Sequence, residues 1–581
     1  MKKFKFPTII FVHCMIFIPF LHAGIIIKGP YLQNVTQNEI TIMWESSGPS
    51  IGELVYGKPG NLNMTLKEKQ ENTFHEITLT GLSPETTYQY KIISDVWLDN
   101  EQRLFSLKTA VPPNRPFSFI TYGDNKSGPF MHKKNSELMA TKNIDFVIHN
   151  GDLVERGYIY RQWELLFFTP AQSLLNKVPY YPLLGNHERH AEYYYKYFSL
   201  PNNETYYSFD YGNAHFICLD SEDITKNKKQ LDWLINDLKN NRLTWTIVCF
   251  HHPPFTSGGN YYTKDRIERK NLLHPIFEKY KVDFVFNGHD HDYERSYPIK
   301  TKTSDHAVTY IVCGNGGTPM RYVGKREWTA YSERVFGFVK IDIDGFKLDI
   351  ASYNIDNQII DRLTLDKNDP QSIDKYYSQV VAFEDINDPV EAAELVEKTE
   401  DLIDNELYRE ALVWAEKAWL ADSTCAEALA MISEINFELG NNDAAIEAAE
   451  KCLKVMSVLP DPYELLVEHY TDIKQFDKAL ALVGKWITIE ADQTDPWESL
   501  AEIWEAKGDI NKTEFYLIKA LSVLPSDSDL NFDVAEFYLD NGNKEKALEY
   551  YKKCLYWFID EEEEVEIIKA REMVKKLTAD L

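Results

Sequence analysis

Hydrophobic and polar positions change rhythm three times along this chain. Between residues 25 and 111, short β-branched and aromatic runs recur about every ten residues: Ile40-Thr-Ile-Met-Trp44, Leu54-Val-Tyr-Gly57, Glu76-Ile-Thr-Leu79 and Tyr88-Gln-Tyr-Lys-Ile-Ile93. Strands at that spacing, separated by turn residues, predict a β-sandwich. From 117 to 365 the runs are almost wholly apolar, as in Phe117–Tyr122, Phe146–Ile148, Phe216–Leu219, Thr246–Phe250 and Val282–Phe286, and each leads into a polar cluster. Such strands are buried on both faces, so this stretch predicts sheets covered by helices such as Gln230–Leu238. From 391 onward the period is helical and it repeats. Ala411, Ala445, Ala479, Thr513 and Ala547 stand 34 residues apart, each opening a pattern of Ala-Leu and, seven residues on, Ala or Cys. Gly440, Gly508 and Gly542 fall five residues earlier, at the expected turn between paired helices. Thr513, and Trp486 in place of the later small residue, depart from the pattern.

These changes of rhythm divide the chain into a multidomain protein: a β-sandwich over 24–112, an α/β domain over 113–365, a polar linker over 366–387 containing Pro370, and an all-α repeat domain over 388–581. Residues 1–23 predict a signal peptide. A basic start (Lys2, Lys3, Lys5) precedes an apolar run from Thr8 to Leu21 and the small pair Ala23-Gly24. That run falls short of the roughly 20 residues that span a bilayer. The expectation is an exported protein, periplasmic, secreted or at the cell surface, with no transmembrane segment once the signal is removed.

Charge adds a constraint. The 581 residues carry 62 basic and 90 acidic side chains, a net of −28, which excludes nonspecific binding to nucleic acid or anionic lipid. From Glu391 to Leu581 there are 44 acidic and 19 basic residues, so the acidity belongs to the repeats. Seven cysteines occur, none in a CxxC spacing. Apart from Cys14 they sit in apolar strand or helix patterns, which points to buried thiols and away from a zinc or redox motif.

Candidate chemistry concentrates in the middle segment. Five clusters each follow a strand: Tyr-Gly-Asp124-Asn125, Asn-Gly-Asp152-Leu, Gly-Asn186-His187-Glu188, Phe-His251-His252-Pro and Gly-His289-Asp-His291. Carboxylate and amide oxygens mixed with imidazoles suit Fe, Mn or Zn. There are enough of them for two metals sharing one Asp, the arrangement that phosphatases use.

The order GD, GD, GNHE, HH, GHxH resembles the calcineurin-like metallophosphoesterases. Trp-Thr-Ile-Val-Cys-Phe-His251, Gly-His289-Asp-His-Asp-Tyr-Glu-Arg295 and Cys-Gly-Asn-Gly-Gly317 are most similar to the purple acid phosphatase branch, which also carries a fibronectin type III-like domain at its N-terminus. Leu82-Ser-Pro-Glu-Thr-Thr-Tyr88 resembles the tyrosine corner of that domain, and the 34-residue period resembles the tetratricopeptide repeat. The resemblance implies an αββα sandwich. It also implies a dinuclear site of two divalent or mixed-valence ions (Fe, Mn or Zn), with Asp124 and His291 on the first metal, Asp152 bridging, and Asn186, His251 and His289 on the second. His187 is implied as the catalytic acid, and hydrolysis of phosphomonoesters by a metal-activated hydroxide as the reaction. A phosphodiesterase on the same core, and a non-catalytic scaffold built on the repeats, are the alternatives. The substrate would be a phosphorylated small molecule or phosphopeptide, with His252, Asn125 and Arg156 as candidate contacts, and the repeats would bind a protein or peptide partner. Since every candidate ligand precedes residue 292, the repeats are expected to be dispensable for hydrolysis of small substrates.

One departure stands out. The purple branch places a Tyr ligand three residues after the bridging Asp, where this chain has Glu155. Other branches place a His two residues after the first Asp, where it has Lys126. Glu155, Asn125, Tyr158 or water is left to complete the first site. Without the tyrosinate that gives the branch its colour, the protein is expected to be nearly colourless.

Overall fold

The structure, a computed structural model, describes residues 24–97, 103–259, 261–383, 390–558 and 565–580. The expected signal segment lies outside them. The N-terminal module is β-rich and forms two antiparallel sheets. One pairs Ile26–Gln33, Ile40–Ser50 and Asn72–Leu79; the other orders Asn61–Lys67, Glu53–Lys58, Thr87–Ile92 and Phe105–Lys108. Alternating residues (Ile40, Ile42 and Trp44 against Leu54, Tyr56 and Tyr90) face inward and are buried, as the two-residue side-chain period of a strand requires. The Tyr88 hydroxyl accepts the Ser83 backbone N–H at 3.0 Å, closing the corner that the sequence foreshadows.

The middle module stacks two sheets face to face. A six-stranded sheet runs in the order Tyr180–Pro182, Phe146–His149, Phe117–Tyr122, Gly337–Asp344, Lys347–Asn354, Ile359–Asp366. A seven-stranded sheet runs Tyr207–Tyr211, Ala214–Cys218, Trp245–Cys249, Phe284–Asn287, Thr309–Cys313, Tyr293–Ser296, Thr329–Glu333. Between them lies an aromatic core. Phe119 stacks on Phe146 at 5.1 Å and meets Phe216 edge-on at 5.1 Å, geometries that add to plain area burial. Helices Lys228–Asn240 and Lys264–Lys279 cover the outer face of the second sheet, burying Leu234, Leu238 and Phe277 against Val248 and Val285. The αββα layering follows.

The expected linker at 366–387 is in large part folded. Pro370–Tyr377 is a helix capped by the Asp369 side chain, and Val381–Phe383 is a strand paired in parallel with Ile299–Thr301. Buried Tyr376 joins Thr309 Oγ1 at 2.8 Å. The segment's polar composition hid these anchors, because a helix of 8 residues and a strand of 3 are too short to show a period.

The C-terminal module is a solenoid of antiparallel helix pairs, from Val390–Asp404 with Tyr408–Ala421 to Ser528–Asp540 with Lys544–Trp557, and Val565–Asp580 closes it. The repeat markers Ala411, Ala445, Ala479, Thr513 and Ala547 are all buried. Gly440, Gly508 and Gly542 hold φ of 74–77° at the interhelix turn. Glu406 and Lys474 hold 58° at the equivalent positions, where a side chain makes the left-handed turn costlier. Among the described residues all six cysteines after Cys14 are buried thiols outside any disulfide.

The solenoid is docked on the middle module. Tyr262 inserts among Ala392, Val396, Ala418, Cys425 and Ala428, and its hydroxyl donates to Asp422 at 2.7 Å. Tyr322 packs on Ala426, Leu429 and Ala430 and donates to Glu427 at 3.0 Å. Arg334 pairs with Asp492, and Arg161 donates to the Tyr556 carbonyl at 2.8 Å. The repeats therefore form part of one packed body with the middle module, which removes the ground for treating them as a separable appendage.

Candidate metal centre

Five neighbouring strand ends build the site. Phe117–Tyr122, Phe146–His149 and Tyr180–Pro182 lie side by side in parallel in the first sheet, and Trp245–Cys249 and Phe284–Asn287 do so in the second. The loops leaving their C-terminal ends carry Asp124, Asp152, Asn186, His251 and His289, in the position where α/β sheets build their sites. Asp124, Asp152 and His289 all take left-handed φ, at 60°, 59° and 69°. Residues other than glycine hold that conformation only where their surroundings impose it. Two glycines allow the loops to close on the carboxylates: a Cβ on Gly288 would collide with Asp124 Oδ2, and one on Gly185 with Asp152 Oδ1.

All six expected ligands meet. Asn186 Oδ1 lies 3.1 Å and His289 Nδ1 3.3 Å from His251 Nε2, which is 3.4 Å from Asp152 Oδ2. His251 Nδ1 donates to the Asn150 carbonyl at 2.7 Å, a bond that turns Nε2 toward the cluster. On the other side His291 Nε2 is 3.7 Å from Asp124 Oδ1, and neither atom has a hydrogen-bond partner although both residues are buried. His291 Nδ1 donates to the Pro319 carbonyl at 3.0 Å. Buried, unpartnered acceptors aimed at one another are what a cation site presents before it is filled.

The electrostatics agree with this fit. Burial pushes the Asp124 carboxyl up to about 8. Burial would raise Asp152 as well, but His251 and Lys126 hold it well below the usual carboxylate range. Burial would lower His251, yet Asp152 and Asp124 push it up to about 9, the mark of a strongly anionic pocket around its ring. Burial keeps His289 and His291 well below the usual imidazole value. Both rings are neutral, as ligation requires.

His187 lies at the rim. Its Nδ1 donates to the Glu155 carbonyl at 2.7 Å, and its Nε2 is 3.9 Å from Asp152 Oδ2. His252 is held between Ser221 Oγ (2.8 Å) and Glu222 Oε1 (3.2 Å), beside the His289 ring. Two candidate substrate contacts fall elsewhere. Asn125 is fully buried, its amide donating to the Leu153 and Leu166 carbonyls and accepting from His149 at 2.6 Å, so it ties loops together and does not meet substrate. Arg156, whose backbone N–H donates to Gln162 Oε1, is not among the described residues lining the cavity over the site. Neither misplacement was visible in sequence, because a residue beside a ligand can face either side of its loop.

The first site's missing ligand is not replaced by a tyrosine among the described residues. Tyr160 donates to Glu45 of the N-terminal module at 2.8 Å, and Tyr158 is exposed. Glu155 accepts from Ser127 Oγ at 2.7 Å and approaches His187. Lys126 is buried with its ammonium 2.8 Å from Asp152 Oδ2, so the residue at the alternative ligand position brings positive charge into the cage. Glu188 had no role in the sequence reading. It is buried and accepts the backbone N–H groups of Gly185 (2.7 Å), Asp152 (2.9 Å) and Leu153 (2.7 Å). It thereby locks the two loops that carry Asp152 and Asn186. Its place in the Gly-Asn-His-Glu run was the available signal.

The calcineurin-like phosphoesterase family matches residues 91–293, and the tetratricopeptide repeat family matches 426–455 and 528–558. The chain carries a calcineurin-like phosphoesterase domain and tetratricopeptide repeats. An uncharacterized protein of Mycobacterium tuberculosis is 26% identical over 320 residues, covering 43% of this chain and 59% of the relative. Mouse acid phosphatase type 7 is 27% identical over 388 residues, covering 55% of this chain and 86% of the relative. Among solved structures, a purple acid phosphatase from yellow lupin seeds superposes with a TM-score of 0.50 at 21% identity, over 59% of this chain and 75% of that one; at that identity the likeness speaks for the fold.

Proposed function

We propose that this protein is an exported phosphoesterase that hydrolyses phosphomonoesters at two divalent or mixed-valence ions of the Fe, Mn or Zn type. The observation that carries this reading is the convergence of six ligand-type side chains from five strand ends on one buried cluster. Asp152 would be shared, with Asn186, His251 and His289 on one side and Asp124 and His291 on the other. Ions bound there supply Lewis acidity to the phosphoryl group and acidify water. The chain's own residues do the rest. Glu188 fixes the loops that carry Asp152 and Asn186. Lys126 sets a positive charge at the cavity wall, where phosphoryl oxygens would lie. His187 has its Nδ1 committed to the Glu155 carbonyl, which leaves Nε2 to carry a proton to the departing alkoxide. The same reading gives the repeats a protein or peptide partner through faces not packed on the middle module.

A panel assay on metal-loaded protein tests it, with an aryl phosphate, a bis-aryl phosphodiester and a phosphopeptide compared at equal concentration. Turnover of the monoester, reduced at least about 100-fold in His187→Ala with metal content unchanged, is the expected result. A diester turned over faster than the monoester would move the assignment to a phosphodiesterase. No turnover of any ester by fully metal-loaded protein would refute it.

A further inference from the structure

A cavity of about 620 Å³ opens over the metal centre, and the repeats build one of its walls. On the phosphoesterase side it is lined by Lys126, His187, His291 and Arg321; on the repeat side by Asp461, Glu464, Trp486 and Asp495. The phosphoesterase wall sets Lys126 and Arg321 beside a single acid, Glu155, whereas every charged group on the repeat wall is acidic. At the floor, His291 Nε2 is buried and unpartnered. On the repeat wall, Glu490 is taken up by Trp486 and by Arg334, which also pairs with Asp492. Among the described residues, Asp461, Glu464 and Asp495 have no ion-pair partner. Partial burial, with repulsion from Asp495 and Asp461, pushes Glu464 up to about 7. Trp486 is also out of pattern. The equivalent positions in the other repeats, Ala418, Cys452, Ala520 and Cys554, are small, whereas here a buried indole backs the cavity wall and donates its N–H to Glu490 at 2.8 Å.

We propose that the repeats complete the substrate pocket and select small phosphomonoesters whose alcohol portion carries a cationic amine. The phosphate would face the ligand cluster, Lys126 and Arg321, and the ammonium would face Asp461, Glu464 and Asp495, on a wall that the buried Trp486 supports from behind. A dianionic or neutral alcohol portion would meet unpaired carboxylates instead, so the acidic wall also rejects competing substrates. This inference rests on the phosphoesterase reading, and the test keeps the two apart.

The experiment uses the full-length, metal-loaded protein with O-phosphoethanolamine and glycerol 3-phosphate, comparable in size but differing in charge at the far end. Calorimetric titration with 2-aminoethylphosphonate and ethylphosphonate gives the same comparison without turnover. Partly exposed carboxylates contribute roughly two- to fivefold each. The amine-bearing member of each pair is therefore expected to be favoured about tenfold in kcat/KM and in Kd. Glu464→Gln alone, and with Asp461→Asn, should bring both ratios toward unity, chiefly by weakening the amine-bearing member of each pair, while the thermal midpoint and metal content stay unchanged. Both substituted residues keep more than a third of their surface open to solvent, so neither change disturbs a core. Equal kcat/KM and equal Kd for the paired compounds, or a preference that survives the double variant, would overturn the proposal while leaving the phosphoesterase intact. If no ester is hydrolysed at all, the phosphoesterase reading fails, and the phosphonate affinities still decide whether the cavity selects the amine.

Discussion

Glu188 offers the sharpest test of how the centre is held. Its carboxylate accepts three backbone N–H groups at 2.7–2.9 Å from the two loops that carry Asp152 and Asn186. Hydrogen bonds to a charged group contribute about 1.5–3 kcal/mol each, so the gross contribution is about 6 kcal/mol. Burial, with Asp152 close by, pushes the Glu188 carboxyl up to about 7 in spite of these bonds. Leaving a buried N–H group without its acceptor costs about 1–3 kcal/mol. Glu188→Gln keeps the shape, but its single amide oxygen can satisfy only part of the set, and its NH2 turns a donor toward donors. A loss of about 2–3 kcal/mol is expected in denaturant unfolding, with an unchanged m-value. Misaligned ligands should weaken metal affinity about 10–100-fold, the usual effect of removing a group that orients them. Glu188→Asp, one methylene shorter, should fall between the two. The assay is urea unfolding of the metal-free protein, paired with competitive metal titration against a chromophoric chelator. If Glu188→Gln unfolds at the wild-type midpoint and binds metal with wild-type affinity, the carboxylate is not what holds these loops.

Two further outcomes follow from the same geometry. With Tyr160 committed to Glu45 and Glu155 at the usual tyrosine position, iron-loaded protein should lack a strong visible charge-transfer band; a purple band abolished by Tyr158→Phe or Tyr160→Phe would show that the loop rearranges to supply a phenolate. His215 bridges Asp210 (2.6 Å) and Asp237 (2.7 Å). Burial would lower it, but these two bonds push it up to about 9, so its stabilisation is complete below pH 6.5 and is lost as pH rises through 9. Discounted for the exposure of Asp210, the loss should be about 1–2 kcal/mol. It would be read as a fall in thermal midpoint between pH 6.5 and 9.5 that His215→Gln flattens, and an equal slope in the variant would remove His215 as the cause.

Much of the architecture was legible because its signals are periodic or local. The 34-residue spacing set every helix pair, and apolar strands ending in Gly-Asp, Gly-Asn-His and Gly-His set both the sheets and the ligand loops. What escaped notice depends on contacts between distant segments. Glu188 points back under its own loop to backbone groups some 35 residues away, and backbone donors leave no mark in composition. Asn125 turns inward because Leu153, Leu166 and His149 claim it. The docking of the repeats rests on Tyr262, Tyr322 and Arg334 meeting residues over 100 positions later. No one-dimensional pattern reports such a pairing, so the repeats read as an appendage until they were seen to wall the cavity. Trp486 registered in sequence as a flaw in a repeat, and the cavity gives that flaw a place.

Asp152 is the residue proposed to be shared between the two ions. The most direct test of that sharing is elemental analysis of purified wild-type and Asp152→Asn protein after metal loading, with aryl phosphate turnover measured on the same samples. The wild type should retain about two ions per chain and hydrolyse the ester, while the folded variant should retain fewer than one and lose at least about 100-fold in rate, since a single shared carboxylate serves both ions. A variant that keeps both ions and its rate, or a wild type that hydrolyses the ester with no metal bound, would contradict it.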